Sequence, residues 1–240
     1  MASSKESRLE ARMRVLITGS AGLIGQLLIE NLKDRYQFRG LDIRPTPGID
    51  DYLVASVTDW YAVLEATKGR HAIIHLTHVG VEWEESLQSM VGTYNVFEAA
   101  HQNGVKRIAF ASKAGIFPYD VIPRSITRTA DMLTRPNTYY AITKVFGEAF
   151  GDMYSSRFGI EVVSVRIGKT VARPTNPHHL SFGDCVRVFE RAITAPGIAH
   201  ERVFGVSASN WPLYDLDHGR RAIGYDPQDR SDVPDDQIER

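Results

Sequence analysis

Residues 15–25 read Val-Leu-Ile-Thr-Gly-Ser-Ala-Gly-Leu-Ile-Gly, a short β-branched strand that runs into three glycines at three-residue intervals and then into an apolar helix. Gly19 permits the tight turn out of the strand. Gly22 lets backbone N–H groups approach a pyrophosphate, and Gly25 lets the helix pack closely on the sheet. The unpaired N–H groups and positive dipole end of the helix favour a dianionic ligand. The next apolar run, Phe38 to Leu41, closes on Asp42, 17 residues beyond Gly25. An acid there accepts from the ribose hydroxyls of NAD and repels a 2′-phosphate. Arg44, two residues on, is the type of side chain that accommodates such a phosphate.

Working outward, strand-like and helix-like segments alternate from Met13. Met13–Thr18 reads as a strand and Leu23–Lys33 as a helix with Leu27, Leu28 and Leu32 on one face. Gln37–Asp42 and Leu53–Val57 read as strands, and Thr58-Asp59 caps a helix through Thr67. His71–Thr77 is the next strand, Glu84–Asn103 a long helix stopped by Asn103-Gly104, and Lys106–Ser112 a fifth strand. Tyr139–Phe158 is a helix ended by Gly159, and Glu161–Ile167 a sixth strand. This alternation predicts an α/β fold, a doubly wound parallel (Rossmann) sheet that binds ligands at the carboxyl ends of its strands.

After Gly168 the pattern thins to a loop over 173–179, a helix from Ser181 to about Thr194, a strand at Glu201–Val206 and a helix at Leu213–Ile223. The acidic, Pro-containing stretch from Asp226 reads as an exposed wrap or disorder. The expected organisation is a frayed tail over 1–12, a dinucleotide-binding core over 13–168, and a small substrate-capping annex over 169–240 in the same domain.

The 240 residues, 43% hydrophobic, suffice for one well-buried core. A net charge of −1 without long basic runs argues against nucleic acid or an anionic membrane as partner. No apolar stretch approaches the roughly 20 residues needed to span a bilayer, and residues 1–12 lack the apolar core of a signal peptide. A cytoplasmic protein is expected. Cys185 is the only cysteine, which excludes an internal disulfide and a cysteine-based zinc site, and it reads as buried beside Val186, Val188 and Phe189.

Tyr140 and Lys144 lie four apart near the start of a helix, on one face. A phenol with an unperturbed pKa near ~10 is a poor base at neutral pH, and a neighbouring ammonium favours its phenolate. His71 and His75 would stand about 13 Å apart on an extended strand, too far to share an ion. His78, past that strand's carboxyl end, could face the cleft, and His178-His179 reads as a solvent-exposed pair in a loop.

The glycine turn, Asp42 and Tyr-x-x-x-Lys, with Val91-Gly92-Thr93-Tyr94-Asn95-Val96-Phe97-Glu98-Ala99-Ala100 and Gly104-Val105-Lys106-Arg107, resemble the extended short-chain dehydrogenase/reductase family of NAD-dependent epimerases and dehydratases. Val165-Arg166-Ile167-Gly168, Ala192–Gly197 and Gly224–Gln228 resemble its uronate dehydrogenase subgroup, and the likeness covers about Met13 to Gln228. It implies Tyr140 as acid/base and Lys144 as its electrostatic partner and a ribose ligand. It also implies that Gly19, Gly22, Leu23, Ile24, Gly25, Asp42, Ser56, Val57, Leu76 and Lys144 surround NAD.

The departures bear on the substrate. Where the family carries a second hydroxyl residue after strand five stands Lys113, so either Ser112 takes the third catalytic position or the Lys113 ammonium polarises the reacting oxygen. Ser89 replaces an Asn on the long helix, and Ser56 an acid after strand three. The Asn-His and Ser of the uronate subgroup are replaced by Ala114-Gly115 and Lys169. The resemblance thus implies an NAD-dependent oxidoreductase acting on a hydroxyl or carbonyl of a small polar, sugar-derived or anionic molecule. The alternatives are a sugar epimerase or dehydratase, and a dinucleotide-binding protein with degraded catalysis. A homodimer or higher homo-oligomer is also implied, most simply a dimer through the two long helices, with Phe97, Phe146 and Phe150 as apolar surface.

Overall fold

Val15 and Ile17 pack into one core and Leu16 into another, the period-two alternation of a strand buried on both faces. The computed structural model describes residues 12–118 and 120–238, so all but Arg12 of the expected tail lies outside the described residues. The strand is β1 (Arg14–Thr18), in a seven-stranded sheet whose pairings are all parallel. In spatial order the strands are β3 (Tyr52–Val54), β2 (Gln37–Asp42), β1, β4 (Ala72–His75), β5 (Arg107–Lys113), β6 (Glu161–Ile167) and β9 (His200–Gly205). The order reverses between β1 and β4, which opens a crevice at their carboxyl ends.

Helices α1 (Leu23–Leu32) and α5 (Phe182–Thr194) cover one face, joining Leu28 and Phe189 to Val15 and Val165. Helices α2 (Trp60–Thr67), α3 (Trp83–Gln102) and α4 (Tyr139–Phe158) cover the other, where Val63, Phe97 and Tyr154 meet Leu16 and Ile73. Helix α6 (Leu216–Ile223) lies beside β9, and a third cluster joins Phe117, Phe204, Trp211 and Tyr214. The sheet therefore draws its last strand from beyond Gly168.

Several expectations change. The strand expected at Leu53–Val57 is Tyr52–Val54, because Ala55 to Val57 turn toward α2, whose cap is Asp59. The strand expected at His71–Thr77 shortens to Ala72–His75, and Leu76 and Thr77 enter the crevice. The 173–179 loop ends in β8 (His179–Ser181), which pairs in parallel with β7 (Lys169–Val171). The helix expected from Leu213 starts at Leu216, because the Asp215 carboxylate accepts from the Asp217 and His218 N–H groups as an N-cap. Residues 226–231 are a tied wrap rather than disorder. The Ala208 N–H donates to the Asp229 carbonyl and the Ser231 N–H to the Ala208 carbonyl, and the buried Asp184 carboxylate accepts from the Gln228 and Asp229 N–H groups at 2.8 and 3.2 Å. Phe97 is fully buried under its own sheet. The apolar side chains that α3 and α4 expose instead include Leu87, Val91, Tyr94, Ile142 and Met153, with Phe146 and Phe150 half-buried.

Candidate active site

The crevice is a cavity of about 560 Å³ lined by the glycine turn, Leu23, Ile24, Asp42, Ser56, Val57, Leu76, Thr77, His78, Tyr140 and Lys144. Gly19 takes a positive φ of 74°, which a side chain rarely adopts. A Cβ on Gly25 would stand 2.6 Å from the Gly19 carbonyl oxygen, and one on Gly22 3.2 Å from the same atom. Among the described residues no side chain caps the N-terminus of α1, so its first N–H groups stay open to a ligand. The Thr77 hydroxyl oxygen, buried against this turn, has no hydrogen-bond partner among the described residues. Open N–H groups, an orphaned hydroxyl and a backbone that tolerates no Cβ fit the pyrophosphate of NAD.

Asp42 is held at the end of β2 by the Ala21 N–H at 3.0 Å and the Arg44 N–H at 3.1 Å. Arg44 lies against the same carboxylate and donates to the Ala21 carbonyl, which occupies the guanidinium. The Ser56 hydroxyl lines the crevice but bonds to Thr58.

Thr138 caps α4 by accepting from the Ala141 N–H, which sets Tyr140 in the first turn and Lys144 one turn on. The Lys144 Nζ lies 5.3 Å from the Tyr140 ring centre, the Lys113 Nζ 5.1 Å, and the His78 ring 5.1 Å. Burial and the Lys113 charge bring the Lys144 ammonium down to about 8. Burial also lowers Lys113. The phenol moves opposite to expectation: burial raises Tyr140. Both ammonium groups lie over its ring, and desolvation of the phenolate outweighs them.

Ser112 does not reach the crevice. Its fully buried hydroxyl donates to Glu148 Oε1 at 2.6 Å, one turn of α4 beyond Lys144. Glu148 in turn accepts from Arg166 on β6 at 2.9 and 2.8 Å, which pins α4 to the sheet. Lys113, next along β5, takes the Tyr140 side, its stem crossing Gly115, where a Cβ would stand 2.6 Å from Lys113 Cε. The Glu148–Arg166 pair escapes sequence reading, although Tyr140, Lys144 and Glu148 share one helical face at i, i+4 and i+8.

The other histidines separate. His75 is buried between the Thr18 and Thr93 hydroxyls, and desolvation, aided by Lys144, lowers it to about 3. His71 bonds to Arg14. His178 and His179 are half-buried rather than exposed: His178 Nδ1 bonds to the Tyr214 hydroxyl at 2.6 Å, and His179 Nδ1 accepts from the Thr175 N–H. Burial pushes the Cys185 thiol up to about 12. No helix among the described residues is long and apolar enough to cross a membrane.

Residues 15–193 match the model of the NAD dependent epimerase/dehydratase family. A uronate dehydrogenase of Pseudomonas putida is 36% identical over 232 residues, 92% of this chain and 85% of its own length. An NAD-dependent glucose-6-phosphate dehydrogenase of Haloferax volcanii is 34% identical over 250 residues, 90% of this chain and 94% of its own. The crystal structure of a mutant uronate dehydrogenase from Agrobacterium tumefaciens complexed with NAD superposes with a TM-score of 0.85 at 31% identity, over 92% of this chain and 86% of that one.

Proposed function

Because this chain belongs to the NAD dependent epimerase/dehydratase family and is an NAD-dependent oxidoreductase, we propose that it oxidises a hydroxyl of a small sugar-derived molecule bearing an anionic group. The observation that carries the anionic part is the pair of ammonium groups, Lys113 and Lys144, against Tyr140, neither with a carboxylate partner among the described residues. The relatives named for uronate and for glucose 6-phosphate are named for anionic sugars.

NAD, when bound, supplies the acceptor for the hydride that leaves the carbinol carbon. Tyr140 takes the hydroxyl proton as that carbon becomes a carbonyl, and the Lys144 charge with the positive nicotinamide of bound NAD would offset the desolvation that raises the phenol. Lys113 supplies the third contact in place of a hydroxyl and meets the anionic group of the substrate. Gly19, Gly22, Leu23, Ile24, Gly25, Val57 and Leu76 would line the cofactor, with Asp42 on the adenosine ribose and Ser56 as backbone wall. The reading includes a cytoplasmic homodimer, α3 and α4 of two subunits packing through Leu87, Val91, Tyr94 and Ile142.

The test is NADH formation from a panel of uronates, sugar phosphates and neutral aldoses, read by absorbance. An anionic sugar is expected to give the highest kcat/KM. Tyr140→Phe should abolish turnover with the NAD Kd unchanged by calorimetry. A Tyr140→Phe enzyme with the wild-type kcat sinks the assignment of the base, and a preference for neutral aldoses sinks the anionic substrate.

A further inference from the structure

Three ionisable groups from three elements meet the Tyr140 ring: Lys144 from the same helix, Lys113 from the end of β5, and His78 from the loop after β4. With Tyr140 as base, on which the following rests, each oxidation leaves a proton on the phenol that must depart before the next. Neither lysine provides the exit. A charged ammonium has no lone pair, and Lys144 is buried. His78 differs on both counts. It is partly exposed at the cleft, and its ring nitrogens have no hydrogen-bond partner among the described residues. Burial against Tyr140 and the Lys144 charge lower its pKa, and Glu85 across the loop only partly opposes them, so at neutral pH the ring is uncharged and keeps a free lone pair.

The loop is also held in place. The Ser89 hydroxyl accepts from the Val79 N–H at 2.9 Å and donates to the Glu85 carbonyl at 3.0 Å, and the Glu85 carboxylate accepts from the Val81 and Glu82 N–H groups. The backbone after His78 is thereby fixed to α3.

We infer that His78 is the proton exit of the site: its imidazole takes the phenolic proton of Tyr140, directly or through one water, and passes it to solvent at the cleft mouth. The Tyr140 O–H bond breaks as an imidazole N–H bond forms, and that proton then goes to water or buffer. The phenolate is restored with no other reactant.

His78→Ala tests this. Its kcat should fall at least roughly tenfold with the NAD Kd and Tm of the wild type, and small imidazoles in the buffer should restore the rate in proportion to their concentration. Wild-type kcat should decline on the acid side as His78 takes a proton, and that limb should be missing from the variant. Tyr140→Phe should stay inactive with or without imidazole. Activity there fails the reading of Tyr140. A His78→Ala enzyme at the wild-type kcat, or one that imidazole does not revive, overturns the exit alone. Without any substrate, NMR of the intact protein should show His78 titrating below 6.5 and rising in Lys144→Met, and an ordinary value in both also overturns the inference.

Discussion

On the proposed reading Lys113 sets the substrate preference, because its ammonium stands beside Tyr140. A half-buried ammonium without a carboxylate partner among the described residues attracts an anionic ligand more strongly than a solvated one does, since less water screens it. Lys113→Ser should therefore lower kcat/KM for an anionic sugar by about tenfold or more, while the matching neutral aldose is unchanged or improved. Steady-state kinetics on such a pair decides it, and equal losses on both would show that Lys113 only supports the fold. Tyr140 and Lys144 were legible in the sequence because i,i+4 spacing fixes a shared helical face. The choice between Ser112 and Lys113 was not. The acceptor that claims Ser112 is Glu148, 36 residues away on another element, and strand parity carries no trace of it.

Among the elements, the turn from β1 into α1 leaves little freedom. A Cβ at position 25 would meet the Gly19 carbonyl oxygen at 2.6 Å and Ser20 backbone at 2.7 Å, so the helix would have to move off the turn. Gly25→Ala should cost about 1–3 kcal/mol of stability and weaken NAD binding, the first read by denaturant unfolding and the second by calorimetry. Unaltered affinity would mean that the spacing of turn and helix does not shape the cofactor cradle. This turn was readable because each glycine has its own steric reason. β2, β6 and α4 were equally clear, with apolar runs long enough to show a period. The three-residue strands β7 and β8 are too short for one, and the start of α6 is set by a carboxylate cap that composition alone does not place.

At the scale of the molecule, α3 and α4 each have two kinds of face. Phe97 and Tyr154 serve the subunit's own core, and Leu87, Val91, Tyr94 and Ile142 are left to solvent. Light scattering should give twice the 26.9 kDa chain mass, and Tyr94→Asp with Ile142→Asp should return the monomer mass. A wild-type monomer at micromolar concentration rules the dimer out. The sequence pointed to these helices but chose Phe97 as surface, because an amphipathic stripe does not say which of its sides meets the sheet. The sequence left the stretch from Asp226 open between wrap and disorder for a related reason: its polar composition suits water, yet its backbone supplies donors to a carboxylate on another element. That carboxylate, Asp184, is fully buried and also accepts from Ser207 Oγ at 2.6 Å. Synthesis runs from the amino end, so α5 leaves the ribosome while the backbone groups of Gln228 and Asp229 are still unmade. Until they emerge that carboxylate lacks two of its donors, so its enclosure waits on residues 44 and 45 positions downstream.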